Sequence, residues 1–326
     1  MRDVAAAAGV SLMTVSRALR EPQKLSEETR KTVLEAVRKI GYVPNSIAAN
    51  LASNRSNVVG QIVPSIRNSL YADTVQGTAD VLRSAGMHLL LADSGYSLQE
   101  EEALIGAFLA QRVAGLLLHN TDHTPKALEM IARAGVPVIE TGDLPRKPID
   151  MAVSYSNFDA AKAMTLHLAA RGYQRIACVS LATRGNRRAR ERQRGYFSAL
   201  KALGQEKDPK RVIEVASGLT SGAHAMVDLL TRVPEVDAIF FAGDVLAVGA
   251  LFEAQRRGWK VPQRVAIAGF DDLDILQYTV PRLTCLRLPR LDIGRRSAEA
   301  LLARLRGDDG STRIDLGFEI VQREST

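Results

Sequence analysis

Cysteine is almost missing from this 326-residue chain, which has only Cys178 and Cys285, each inside an apolar run. That scarcity argues against a disulfide framework and suits a reducing compartment. No apolar run is long enough to span a bilayer, and no apolar stretch follows the N-terminus as a secretory signal would require. The expected location is the cytoplasm, with no membrane partner. Enzyme signals are missing as well. The five histidines, His88, His119, His123, His167 and His224, show no metal-ligand spacing with cysteine or with one another. There is no G-x-S-x-G elbow and no Walker loop, so neither catalysis, a metal nor a resident cofactor is expected. Leucine heptads do not follow "DLGFEIVQREST", so no tetramerisation tail is expected.

What is present is basic charge, and it is unevenly placed. The net charge is +7. Residues 1–57 hold nine Lys/Arg against five acids, and the remaining 269 hold 34 against 31. A small N-terminal unit with over half the excess fits a polyanionic partner.

Asp3 to Ala8 reads as a short helix, with Gly9-Val10 as the tight turn that ends it. Ser11 is placed to cap a second helix over 12–20, with Val15 and Leu19 facing inward and Leu12, Met13, Ser16, Arg17 and Arg20 outward. Pro22 breaks the pattern. Ser26 opens a third helix with Glu27 and Glu28 in its first turn and Arg38 and Lys39 in its last, as the macrodipole favours, and Gly41 ends it. Val33, Ala36, Val37 and Ile40 follow the spacing of one buried face. Three helices with a glycine turn between the first two are the plan of a helix-turn-helix DNA reader. A helical cap with a solvated basic face is the plainer alternative. The following "SIAANLASNRS" reads as a weak, alanine-rich helix, too short to stand alone. An exposed Leu51 on it suits a segment that orders on DNA and inserts a leucine into the minor groove.

At "DVAAAAGVSLMTVSRAL" and "GYVPNSIAANLA" the sequence resembles the headpiece and hinge helix of the lactose-repressor (LacI/GalR) family of transcription factors, and the resemblance runs from Asp3 to about Gln322. It implies that Leu12, Met13, Thr14 and Arg17 lie in the major groove, that Ser16 and Asn45 lie near phosphates, and that Leu51, with Ala48 beside it, is the minor-groove wedge. Leu12 and Met13 can meet thymine methyls but make no hydrogen bond to a base edge, which leaves Arg17 to read a guanine. The family has a small capping residue ahead of the first helix. Met1 stands there instead, implying a trimmed start or a poorly capped helix.

From Val58 the apolar runs "VVGQIVPSI", "MHLLLADSG", "VAGLLLHN" and "VPVIETG" alternate with helical stretches near 69–85, 98–112 and 124–134. A second set, "RIACVSL", "RVIEVAS", "AIFFAGD" and "VAIAGFDD", follows "DMAVSYSN". Near-continuous apolar strands between helices indicate parallel sheets covered on both faces. The expected fold class is α/β: a small all-α headpiece (1–43), a hinge helix and linker (44–57), and a two-lobed, doubly wound core (58–326) like the periplasmic binding proteins. Lobe one is expected at about 58–156 and 287–314, and lobe two at about 157–284 and 315–326. "LTCLRLPRLDIGRRSAEALLARLRG" resembles the family segment that crosses back to the first lobe.

Ligands of such folds bind at the carboxyl ends of the strands, between the lobes. The polar residues there are Ser65, Asn68 and Tyr71 after the first strand, Glu140 in the fourth, Ser217, Asp244, and Asp271 before Asp272. Ser65, Asn68 and Asp244 read equally as helix caps, and Glu140 as an edge or interface residue. In the family, the aspartate matching Asp271 contacts the effector. "TRGNRRARERQRGYFSAL" holds six arginines between Arg184 and Arg194. Arg184, Arg187, Arg190 and Arg194 read as a solvated face. Arg192 matches the family's effector-holding arginine, and Arg188 lies one turn earlier on the same face. Two such guanidiniums suit a carboxylate or phosphate. Within the family, "TDHTPKALEMIARAGVPVIE", "DMAVSYSNFDAAKAMT", "AVGALFEAQRRG" and "LLARLRG" are similar to repressors of gluconate utilisation, which implies a sugar-acid effector such as gluconate, a keto-gluconate or a phosphorylated form. Ser217, where several relatives stack an aromatic ring, weighs against a purine. The resemblance implies a homodimer on a palindromic double-stranded operator. A periplasmic-type solute-binding protein and a corepressor-type switch are the rival readings.

Overall fold

Local signals shape the first forty residues. A computed structural model describes residues 1–20, 22–42, 56–243, 245–310 and 313–326. Helix α1 (Arg2–Ala8) has no side-chain cap at Met1, and the Gly9 amide closes it on the carbonyls of Ala5 and Ala6. Ser11 Oγ accepts the Thr14 amide at 3.1 Å and starts α2 (Leu12–Arg20). Ser26 Oγ does the same for Thr29 and starts α3 (Glu27–Ile40). Val4, Val15, Ala18, Val33 and Ala36 meet in one small core. Ile40, expected on that core, is exposed: α3 is longer than the two helices it packs against, and its last turn has nothing to cover it. The expected hinge helix, with Asn45, Ala48 and Leu51, lies outside the described residues, as does Asp244. The chain divides into two compact units, Met1–Ser56 and Asn57–Thr326.

The larger unit contains two six-stranded sheets. The first is built from β1 (Val58–Val63), β2 (His88–Asp93), β3 (Gly115–Leu118), β4 (Val138–Glu140), β5 (Met151–Ser154) and β11 (Arg313–Asp315), in the order β11-β5-β4-β3-β1-β2. Every pairing in it is parallel. The second holds β6 (Ile176–Leu181), β7 (Val212–Val215), β8 (Ala238–Ala242), β9 (Ala266–Phe270), β10 (Thr284–Arg287) and β12 (Glu319–Val321), in the order β12-β10-β9-β8-β6-β7, with only β10–β12 antiparallel. Alternation along the strands feeds both faces of each sheet. Leu116 and Leu118 of β3 enter one core and Leu117 the other, while Ile239 and Phe241 of β8 oppose Phe240.

Helices α4 (Ala72–Ser84), α5 (Leu98–Ala110) and α6 (Pro125–Ala134) connect the strands of the first sheet. Helices α7 (Asn157–Ala170), α8 (Arg187–Ala202), α9 (Leu219–Arg232) and α10 (Leu246–Arg256) serve the second. The chain crosses between lobes three times: after β5, between β10 and α11 (Arg290–Leu305), and between β11 and β12. Helix α11 packs closely on α4, where a Cβ at Gly294 would stand 2.0 Å from the Thr74 carbonyl oxygen. The crossings fall beside the expected boundaries. Arg287, expected with the first lobe, pairs with Glu319 in the second sheet, and Asp315, expected with the second, pairs with Ser154 in the first. The strand of "LTCLRLPRL" therefore stays in lobe two and only its helix crosses.

Candidate functional site

The parallel strands of both lobes end at a shared cleft. A cavity of about 260 Å3 lies there. Lobe one lines it with Pro64, Ser94, Tyr96, Glu101, His119 and Asn120, and lobe two with Leu181, Arg184, Asn186, Arg188 and Ser217. Two smaller cavities of about 20 and 30 Å3 are both lined by Tyr71, Arg188, Arg192 and Asp271. Arg188 is common to all three.

Arg188 starts α8 in lobe two and reaches across to lobe one, where its Nη1 donates to the His119 carbonyl at 3.0 Å. Burial opposes its charge, but Tyr71, Tyr96, Tyr155 and Asp271 offset this and hold the guanidinium firmly protonated. No carboxylate stands at ion-pair distance from it among the described residues. Burial pushes the Tyr71 phenol far up, so it is neutral; its hydroxyl lies 3.3 Å from that of Tyr96, and its ring meets His119 edge-on at 4.8 Å. His119 is held well below the usual histidine range, by burial first and then by Arg188 and Arg192. Its neutral ring places Nδ1 2.9 Å from the Thr141 hydroxyl. Gly142 makes this packing possible. With φ +87°, a Cβ there would lie 2.9 Å from the His119 ring and 3.2 Å from Arg188 Nη1.

Arg192 is differently employed. Its Nε donates to Asn157 Oδ1 at 2.7 Å, its Nη1 to the Ala242 carbonyl at 3.1 Å, and its guanidinium lies 3.7 Å from the Phe270 ring centre. Most of its donors are engaged inside lobe two. Asp271 is buried at the end of β9 with φ +83°, a left-handed backbone that a non-glycine residue adopts only where its surroundings enforce it. Arg290 donates to its carbonyl. The neighbouring Asp272 serves the fold, bound by Arg287 at 2.9 Å and Arg323 at 2.6 Å.

The other expected effector residues scatter. Asn68 lines one small cavity and also caps a turn, its Oδ1 accepting the Leu70 amide at 3.1 Å. Ser217 lies on the exposed rim of the large cavity. Ser65 accepts the Arg67 amide at 3.2 Å and lines none of the three. Glu140 lines none either: its Oε2 accepts the Ile149 amide at 2.6 Å, and its Oε1 is 3.5 Å from His123 Nε2. His123 Nδ1 stands 2.6 Å from Oε1 of Glu101. Burial disfavours a charged imidazole there, but the hydrogen bonds and charges of Glu101 and Glu140 outweigh it and raise the His123 pKa to about 9.

The arginine-rich stretch departs most from expectation. Arg190 pairs with Asp122 of lobe one, and Arg187 reaches Asp122 and Asp143 at 3.5 Å each. Both bridge the lobes instead of facing solvent, and Arg184 lines the large cavity. Arg194 alone of these four stands as expected, 67% exposed beside Glu191. Glu101, Tyr96 and Asn120 carry no mark in the sequence reading. A strand-end search finds Asn120, two residues past β3. Glu101 shares the buried spacing of Ile105 and Phe108 on α5, an acid within an apolar stripe.

In the N-terminal unit Leu12, Met13 and Arg17 are exposed on α2, whereas Thr14 and Ser16 are half-buried. The Thr14 hydroxyl lies 2.9 Å from Ser11 Oγ. Among the described residues no group of His, Cys, Asp and Glu is arranged to hold a metal, and no helix is long and apolar enough to cross a membrane.

Comparison with known proteins places both units. A family model described as bacterial regulatory proteins, lacI family, matches residues 1–45, and one described as a periplasmic binding protein-like domain matches residues 165–326. The chain is 40% identical to the HTH-type transcriptional regulator GntR of Pseudomonas aeruginosa, over 100% of this chain and 95% of that protein. Among solved structures it is similar to a LacI-family regulator from Silicibacter pomeroyi, with 33% identity, a TM-score of 0.92, and 99% of this chain and 98% of that one covered. It is also similar to the lac repressor dimer bound to operator and the anti-inducer ONPF, with 25% identity, a TM-score of 0.88, and the same two coverages.

Proposed function

The chain belongs to the lacI family of bacterial regulatory proteins, and on that premise we propose that it is a cytoplasmic repressor gripping a palindromic operator as a homodimer, under the control of a sugar acid bound between its core lobes. Helix α2 would enter the major groove with Leu12, Met13, Thr14 and Arg17, and Ser16 and Asn45 would meet phosphates. Ala48 and Leu51 would sit at the minor groove, the leucine as wedge. Asn68, Tyr71, Arg188, Arg192, Ser217 and Asp271 would surround the effector. Rotation of the lobes about it would alter the spacing of the two headpieces.

One observation carries the sugar-acid reading. Arg188 presents a buried guanidinium among neutral phenols, with no carboxylate at ion-pair distance among the described residues, beside a cavity lined with serine and asparagine. Such a wall offers a fork for a carboxylate and hydrogen bonds for hydroxyls. Similarity to repressors of gluconate utilisation supports the same ligand class. The test is to measure the affinity of the purified protein for a duplex selected from random sequences, with and without D-gluconate. A change of about fivefold or more is expected, and its sign tells an inducer from a corepressor. Arg188→Leu should weaken D-gluconate binding about tenfold to a hundredfold while ligand-free operator affinity stays. An unchanged ligand affinity would remove Arg188 from the site.

A further inference from the structure

The large cavity is electrically one-sided. Its lobe-two wall carries Arg184 and Arg188, and its lobe-one wall carries one carboxylate, Glu101. Glu101 Oε1 accepts from His123, and Glu101 Oε2 accepts no hydrogen bond among the described residues. His123 touches a second carboxylate, Glu140, itself tied to the Ile149 amide. We propose that Glu101 reads a hydroxyl of the effector's uncharged end and excludes a second anionic group there, so that the site selects sugar acids carrying a single negative charge. This rests on the sugar-acid reading and narrows it to monoanions.

Charge and geometry act together here. With His123 protonated, two carboxylates and one imidazolium leave a net single negative charge in that wall. The three side chains are 2–4% exposed, so solvent screens them weakly. A hydroxyl can donate to a carboxylate oxygen, whereas a carboxylate or phosphate placed there meets like charge. Glu101 cannot swing away, because His123 fixes it from one side and α5 buries it beside Ile105 and Phe108. The carboxylate of a bound acid is thereby directed to the arginines of lobe two and its far end to lobe one.

The experiment titrates the full-length protein calorimetrically with D-gluconate, D-glucarate and 6-phospho-D-gluconate, acids with one carboxylate, two carboxylates, and a carboxylate plus a phosphate. D-gluconate should bind about tenfold or more tightly than either polyanion. Glu101→Gln keeps the shape and removes the charge, and should reduce that preference by at least about threefold. Equal or tighter binding of a polyanion by the parent protein would overturn the inference and leave the sugar-acid reading standing. A preference unchanged in a folded Glu101→Gln would overturn it too. Binding of none of the three would overturn both readings. The titrations of the parent protein need no variant, so they decide the matter even if Glu101→Gln fails to fold.

Discussion

His123 lies between two buried carboxylates, and its charge is part of the fold. Its pKa is raised to about 9 against an ordinary value near 6.5, so the folded chain holds this proton more tightly than the unfolded chain. The resulting stabilisation is complete below pH ~6.5 and is lost as pH rises through about 9, with a magnitude on the order of 3 kcal/mol. Denaturant melts of the parent protein should therefore weaken between pH 7 and 10, and those of His123→Gln should start lower and vary less over that range. Equal slopes would show that the imidazole is not charged in the fold. Spacing hides this cluster, because His123, Glu101 and Glu140 come from separate elements that only the sheet order brings together.

Helix α8 shows what an element reveals in sequence and what it hides. Strand and helix positions are legible because short apolar runs with period-two alternation and capped amphipathic stretches are local properties. Arg192 is legible by resemblance, though its donors prove to be held inside lobe two by Asn157 and Ala242. Arg187 and Arg190 pass for solvated side chains in the sequence because their acids stand on the opposite lobe. Asp122 is 68 positions from Arg190, and no helical periodicity encodes it. These pairs are partly exposed, 26–42% by side chain, so each is individually modest. They nonetheless fasten the mouth of the cleft. Asp122→Ala should lower D-gluconate affinity about twofold to fivefold, and this difference should shrink at high salt. A salt-independent loss would point to damage in the cavity wall rather than to a lost bridge.

At the scale of the whole chain, two compact units of very unequal core size share one polypeptide. The first is organised around Val4, Ala5, Val15, Ala18, Val33 and Ala36, whereas the second has four extensive apolar clusters about its two sheets. So small a core gives marginal stability, and heating should produce two transitions. Saturating D-gluconate, expected to bind only the folded core, should raise the upper transition and leave the lower one in place. Scanning calorimetry reads both, and a ligand shift confined to the lower transition would contradict a binding site between the lobes.

The three crossings carry a consequence for biosynthesis. The first sheet is completed by residues 313–315 and the second by 319–321, so neither half of the sensor can finish assembling until almost the last codon has been translated. The first forty residues need nothing downstream for their own packing. On the ribosome the part that reads nucleic acid can therefore take shape long before the part that restrains it.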